Sequence, residues 1–300
     1  MKFGAANRLA KQYAKKLKNN EVISIVQIGS SLRKKDFNSY SDLDFLVVQR
    51  KKSKDFLQHD SIKNIETNIV RHGRDQFLKS IKEGNPIDLV ALQFGKILFD
   101  NGFFESQRKL SYKPNKNTID RWMHAASFNL SDASMAYSMP ASEEYFKSLH
   151  HAAREFCRAI IVKEFVEVVE GNAAILDRLK HKHPDLCESF KLIIGGRKNY
   201  RYTDSELVDH KRIKNSGHGK YLLAAEETAI GAFKVCKKVE MPKVNELLSK
   251  ISRKLHIVHI MGFHLSVESC HLLINIVTKK GKAAVFVYDM KSKKLKRLSK

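Results

Sequence analysis

The chain has 300 residues, with 55 Lys and Arg against 32 Asp and Glu and a formal net charge of +23. That length suggests two or three domains, and a 43% apolar content supplies proper cores, which excludes a disordered chain. No apolar run reaches the roughly 18 residues of a membrane span, and the N-terminal MKFGAANRLAKQYAKKLKNN lacks the continuous apolar core of a signal peptide.

The charge is unevenly placed. Residues 1–110 hold 21 basic and 12 acidic side chains, 111–240 hold 21 and 17, and 241–300 hold 13 and 3. Excess positive charge at both ends favours a polyanionic partner, with RNA the leading candidate. The four cysteines, at 157, 187, 236 and 270, have no CxxC spacing and fit a reducing cytoplasm.

Phe3, Ala6, Leu9, Ala10, Tyr13, Ala14 and Leu17 recur at helical spacing, which predicts an amphipathic helix over 5–18. The run from Val22 to Ile28 predicts a buried strand that stops at Gly29 and Ser30. After a basic loop, Asp42, Leu43 and Asp44 open a second apolar run that ends at Val48. Strand alternation puts Asp42 and Asp44 on one face and turns Leu43 and Phe45 into the core. Two adjacent carboxylates repel each other. A divalent cation offsets that repulsion, and oxygen ligands of this kind suit Mg²⁺ (or Mn²⁺) carried in with the phosphates of a nucleotide. Gly29 lets backbone approach closely, while the hydroxyls and amides of Ser30 and Ser31 can hold phosphate oxygens. Arg33 and Lys34, in the loop between the runs, are placed to meet a triphosphate or a polyanionic acceptor.

Ile65 to Val70 predicts a third strand, and Gly95 to Asp100 the last strand of a first domain over 1–105. Pro86 and Asp88 read as the first turn of a helix. Residues 106–117, SQRKLSYKPNKN, read as a linker, after which Asn117 caps a helix with Asp120 in its first turn. A break at Ser138 to Pro140 precedes an unbroken apolar face from Tyr145 to Ile161. Ala173 to Lys180, Asp185 to Ile194 and Tyr221 to Val239 complete an all-α domain over 118–240. In the basic segment 241–300 a short helix over Val244 to Lys254 precedes three strands, Leu255 to Met261, His271 to Thr278 and Ala283 to Asp289. Lys279 to Lys282 form a hairpin turn between the last two strands. The tail KSKKLKRLSK reads as a solvated end or as a contact to phosphate backbone. The histidines and cysteine around 256–271 and 181–187 match no zinc spacing.

The stretch from Ile28 to Val48 resembles the signature of the nucleotidyltransferase superfamily that includes DNA polymerase beta: an apolar strand, Gly-Ser, a loop, and Asp-x-Asp inside a second strand. The resemblance implies an α+β fold that opens on a nucleotidyltransferase domain, a mixed sheet with flanking helices. It also implies transfer of a nucleoside monophosphate from an NTP to an acceptor hydroxyl. A third carboxylate from a neighbouring strand would complete the metal set of Asp42 and Asp44. Glu66 is preferred for it, with Asp88 the alternative. Segment 118–239 resembles HEPN domains, and Arg212 and His218 have the spacing of that family's ribonuclease pair. Three readings follow: an RNA-directed nucleotidyltransferase, an enzyme that nucleotidylates a protein or small molecule, and a non-catalytic RNA-binding or toxin–antitoxin-like module.

Overall fold

The computed structural model describes residues 3–34, 37, 41–51, 57–63, 65–138, 142–201, 219–253 and 255–298. The fold is α+β, and the chain divides into two compact units. One comprises Met1–Thr118 with Val166–Ala174, and the other Ile119–Phe165 with Ile175–Lys300. No helix among the described residues is long and apolar enough to cross a membrane.

In the first unit, α1 (Phe3–Leu17) leads into β1 (Val22–Ile28) and β2 (Leu43–Gln49). A hairpin of β3 (Leu57–Ile62) and β4 (Ile65–Gly73) follows, then α2 (Arg74–Lys82), α3 (Pro86–Phe94), β5 (Lys96–Asp100) and α4 (Phe103–Arg108). The sheet order is β3-β4-β2-β1-β5, with β2 and β4 parallel and every other pair antiparallel. Every residue of β1 is buried, because both faces of the sheet are covered. On one face Leu9, Tyr13 and Ala14 of α1 pack over Ile25, Leu43, Phe45 and Val47. On the other, Phe77, Ile81, Ala91 and Phe104 of the later helices pack over Val26, Leu46 and Val48. This double burial explains why β1 reads as a nearly unbroken apolar run. Its two polar residues both donate inside the sheet layer: Ser24 to Asp100 Oδ1 at 2.6 Å, and Gln27 to Ser31 Oγ at 3.0 Å.

Strand β3 is an addition to the sequence reading. Leu57 to Ser61 are all exposed and show no alternation, so the strand owes its existence to pairing with β4 at the sheet edge. The predicted linker is also partly built in. Residues up to Arg108 belong to α4, and the next helix is capped by Asn115 rather than Asn117, its Oδ1 accepting from the backbone N–H of Asn117 at 2.9 Å. Thr118 then donates to Gly84 O at 2.7 Å.

In the second unit, α5 (Lys116–Ser138), α6 (Ser142–Phe165), α7 (Asn172–Leu179), α8 (Pro184–Arg201) and α9 (Gly219–Ala232) form the helical part. The predicted end of α8 at Ile194 falls short. The helix continues through Gly195 and Gly196 because Tyr221 of α9 lies against the bare backbone there, where a Cβ on Gly196 would stand 2.6 Å from its ring. A π-turn, Phe233–Lys237, ends α9, and α10 (Val244–Ser252) leads to a four-stranded antiparallel sheet. Its strands are β6 (Ile257–Ser266), β7 (His271–Thr278), β8 (Ala283–Asp289) and β9 (Lys294–Arg297). The basic tail therefore contributes an edge strand, and β6 runs five residues beyond its predicted end at Met261.

Glu226 of α9 is buried, and its carboxylate accepts from the backbone N–H of Val244, the first residue of α10. Burial raises its pKa from the usual 4.5 to about 7, outweighing the opposing pull of that hydrogen bond. Between those values the folded chain holds a proton that the unfolded chain has released, so stability is full below the window and falls as pH rises through it. Glu226→Gln keeps the acceptor oxygen and cannot ionise. Thermal unfolding should give matching midpoints for variant and wild type near pH 4, and a more stable variant near pH 8, by on the order of 3 kcal/mol.

Candidate active site

The site is built where β1 ends against the start of β2. Ile28 pairs with Asp44, so the residue after Ile28 must pass close to the Asp44 side chain. That residue is Gly29, at φ 81° and ψ −166°, followed by a 3₁₀ turn over Ser30–Leu32. A Cβ on Gly29 would lie 2.3 Å from Asp44 Oδ2, so the carboxylate occupies the space that any other residue would fill. Both the positive φ and the close approach require glycine here.

Asp44 is half-buried on the face of β2 that carries Leu46 and Val48, opposite the face of Leu43, Phe45 and Val47. Alternation carried back two residues puts Asp42 on the same side. In the parallel β2/β4 register Leu43 lies beside Thr67 and Asp44 beside Asn68. Paired residues of neighbouring strands share a face. By alternation along β4, Glu66 therefore shares the face of Asn68 and Asp44 at that end of the sheet. Asn68 donates to Asp44 Oδ1 at 2.9 Å. An open cleft of about 420 Å³ runs along β3 and β4, lined by His59, Asp60, Ser61, Glu66, Thr67 and Asn68. The Tyr13 hydroxyl donates to Asp60 and holds that carboxyl below its usual range.

Asp88 lies elsewhere. It is fully buried in the first turn of α3, accepts from Ser80 Oγ at 2.5 Å, and faces His72 Nε2 at 3.2 Å, a contact whose alignment falls short of a hydrogen bond. His72 pairs with Val48, four residues along β2 from Asp44, or roughly 13 Å at the rise of a strand. The structure thus separates Asp88 from Asp44, whereas Glu66 lies two residues along β4 from Asn68, the donor to Asp44.

The remaining candidates divide in the same way. The Ser31 hydroxyl is buried and turned inward, accepting from Gln27, whereas Ser30 is half-exposed. Arg33 forms an ion pair with Glu170 at 2.9 Å, and Lys34 is exposed. Arg212 and His218 lie outside the described residues. Asn68 and His59 were not anticipated. The signal for Asn68 was its place two residues after Glu66 on the same strand face, and His59 carried none while its segment had no strand pattern.

Among the described residues no three His, Cys, Asp or Glu side chains are already gathered as a metal site. The donor set nevertheless suits a hard cation. Mg²⁺ usually binds through one or two protein carboxylates, with waters and substrate phosphates supplying the other oxygens. The missing side chain of Gly29 is what lets Asp44 Oδ2 lie against the turn at the strand end.

No protein-family model matches the chain, and no curated protein matches it. Among solved structures, a nucleotidyltransferase-like protein from Exiguobacterium sibiricum is similar over 86% of this chain and 82% of its own, at 14% identity and a TM-score of 0.36. Spectinomycin adenyltransferase AAD(9) from Enterococcus faecialis, solved with ATP and spectinomycin, is similar over 76% of this chain and 99% of its own, at 14% identity and a TM-score of 0.47. Both scores are low, and the chemistry of the site rests on its own residues.

Gly29→Ala tests the cradle. The methyl group meets Asp44 Oδ2 and the backbone enters a region that alanine disfavours, so urea unfolding should show a loss of about 1–3 kcal/mol. An unchanged midpoint would mean that Asp44 yields freely and that the close approach is unimportant.

Proposed function

We propose that this chain is a metal-dependent nucleotidyltransferase that moves a nucleoside monophosphate from an NTP to an acceptor hydroxyl and releases pyrophosphate. The observation that carries the reading is the approach of Asp44 to the Gly29 turn, with Glu66 on the neighbouring strand two residues from Asn68, the donor to Asp44. Apolar packing gains nothing from acidic residues held there. A triphosphate bound with a hard cation explains the acids, and the glycine lets Asp44 fit against the turn.

In this reading Asp42 and Asp44 would hold Mg²⁺ or Mn²⁺, with Glu66 as the third carboxylate. The cation, when bound, supplies charge neutralisation at the α-phosphate and lowers the pKa of the attacking hydroxyl. Gly29 and Ser30 would bind the β- and γ-phosphates through backbone amides and the Ser30 hydroxyl. Lys34 would add positive charge, whereas Arg33 is engaged with Glu170. Glu66 would take the acceptor's proton as its oxygen bonds to the α-phosphorus. The bond from that phosphorus to the bridging oxygen breaks, and the electron pair leaves on pyrophosphate. Holding the two reactants in line supplies much of the acceleration.

The acceptor we propose is RNA, supported by the 13 basic against 3 acidic residues over 241–300. One observation favours a second acceptor, a small molecule or protein hydroxyl: Asp60 and Glu66 line the cleft, and two carboxylates repel a polyanion.

Purified protein with Mg²⁺ and each labelled NTP, supplied with total RNA, a clarified extract or no acceptor, separates these. Label should pass to RNA, and Asp42→Asn or Asp44→Asn should reduce transfer by on the order of 100-fold or more. Label on a protein or small molecule would establish the second acceptor. No transfer under any condition would overturn the nucleotidyltransferase reading.

A further inference from the structure

Three side chains on three adjacent strands form one hydrogen-bonded row across the candidate site. His59 of β3 pairs in register with Asn68 of β4, which pairs with Asp44 of β2. His59 Nδ1 lies 2.8 Å from Asn68 Oδ1, and Asn68 Nδ2 lies 2.9 Å from Asp44 Oδ1. The chemistry of the groups gives the row a direction. An ionised carboxylate only accepts, so Asn68 must present its NH₂ to Asp44. Its carbonyl oxygen then faces His59, which must donate from Nδ1–H. The opposite amide orientation would set a carbonyl against the carboxylate, an arrangement without a donor. His59 therefore reinforces the orientation that Asp44 requires of the Asn68 amide, and Nδ1–H is present in both the imidazolium and one neutral tautomer.

We propose that Asn68 is a positioning residue for Asp44 and that His59 fixes Asn68 in its working orientation. The inference rests on the reading of Asp44 as a metal-binding carboxylate. Asn68 holds Oδ1 from the β4 side and Gly29 accommodates Oδ2 from the β1 side, so the carboxylate plane is set from both ends. Groups that hydrogen-bond a ligating side chain commonly contribute about 10–100-fold to metal affinity. The other close neighbours of His59 do not replace it: Asp60, Ser61 and Glu66 line the same cleft, but the first is held by Tyr13 and none of them meets Asn68 Oδ1 in a hydrogen bond shown among the described residues.

The test is Mn²⁺ affinity of the full chain, read by electron paramagnetic resonance in the presence of a non-hydrolysable NTP analogue, with thermal unfolding of each variant alongside. Asn68→Leu keeps the shape and removes both hydrogen bonds, and should weaken Mn²⁺ binding about 10-fold at an unchanged unfolding midpoint. His59→Leu should cause part of that loss. His59→Asn places an amide N–H where Nδ1–H stood and should restore wild-type affinity, a rescue that simple loss of packing would not give. Asp44→Asn should remove most of the binding. If Asp44→Asn loses Mn²⁺ while a folded Asn68→Leu does not, the positioning role is overturned and the metal reading stands. If Asp44→Asn binds Mn²⁺ as well as wild type, the metal reading falls and takes the proposal with it. Should Asn68→Leu fail to fold, the exposed His59 decides: equal affinities for His59→Leu and His59→Asn overturn the proposal.

Discussion

The first unit depends on the contact between the end of β1 and the side chain of Asp44. Two buried strands run antiparallel, with Ile28 opposite Asp44. A carboxylate at this position must either enter the core or turn into a gap at the strand end. Gly29 provides the gap, and its positive φ swings the chain into the Ser30–Leu32 turn instead of across the carboxylate. The turn and the close approach of Asp44 to backbone both follow from that one absent side chain. Double burial of the sheet then makes the arrangement rigid. Register is strongly specified when both faces are packed, because a one-residue slip would carry Asp44 into the cluster of Leu43 and Phe45.

This is also why so much of the site was legible in the sequence. Val22 to Ile28 and Leu43 to Val48 are buried on both sides, so hydrophobicity marks both strands and their ends with little ambiguity. The glycine and the aspartates interrupt those runs at the point where the candidate site lies. Asn85, Pro86 and Asp88 mark the start of α3 equally well, Asn85 accepting from Ile87 N–H as an N-cap. Strand β3 carried no such mark. Gln58, His59, Asp60 and Ser61 are solvent-exposed, and their extended conformation is imposed by the hydrogen bonds of β4. Missing that strand hid His59, and with it the row that runs through Asn68 to Asp44. A pattern on one strand cannot disclose what lies beside it on the next.

The second unit repeats the lesson with charge in place of polarity. Lys294, Lys296 and Arg297 read as part of a solvated tail, yet they lie on β9 at the sheet edge. Lysine is common on edge strands because its charge discourages pairing with another chain. Positive charge along 241–300 therefore has two physical uses, protection of an edge and attraction of polyanions, and composition alone weighs both equally. Gly195 and Gly196 illustrate the converse. Consecutive glycines suggest a helix end, but close packing of Tyr221 makes a bare backbone favourable there and α8 continues.

Two acids on the first sheet's inner surroundings show what separates a structural carboxylate from a candidate for chemistry. Asp88 is sealed, with Ser80 donating to one oxygen and His72 beside the other. A buried acid held by Ser80 and facing His72 is committed to fixing α3 in place, and removing its donor would leave a costly unpaired group. Asp44 is only half-buried, is held through one oxygen by a neutral amide, and stands next to an open cleft. A neutral donor orients a carboxylate without cancelling its charge, as an arginine or lysine in the same place would. The carboxylate of Asp44 is thus oriented beside the cleft, the arrangement that the proposed cation-dependent reaction would need.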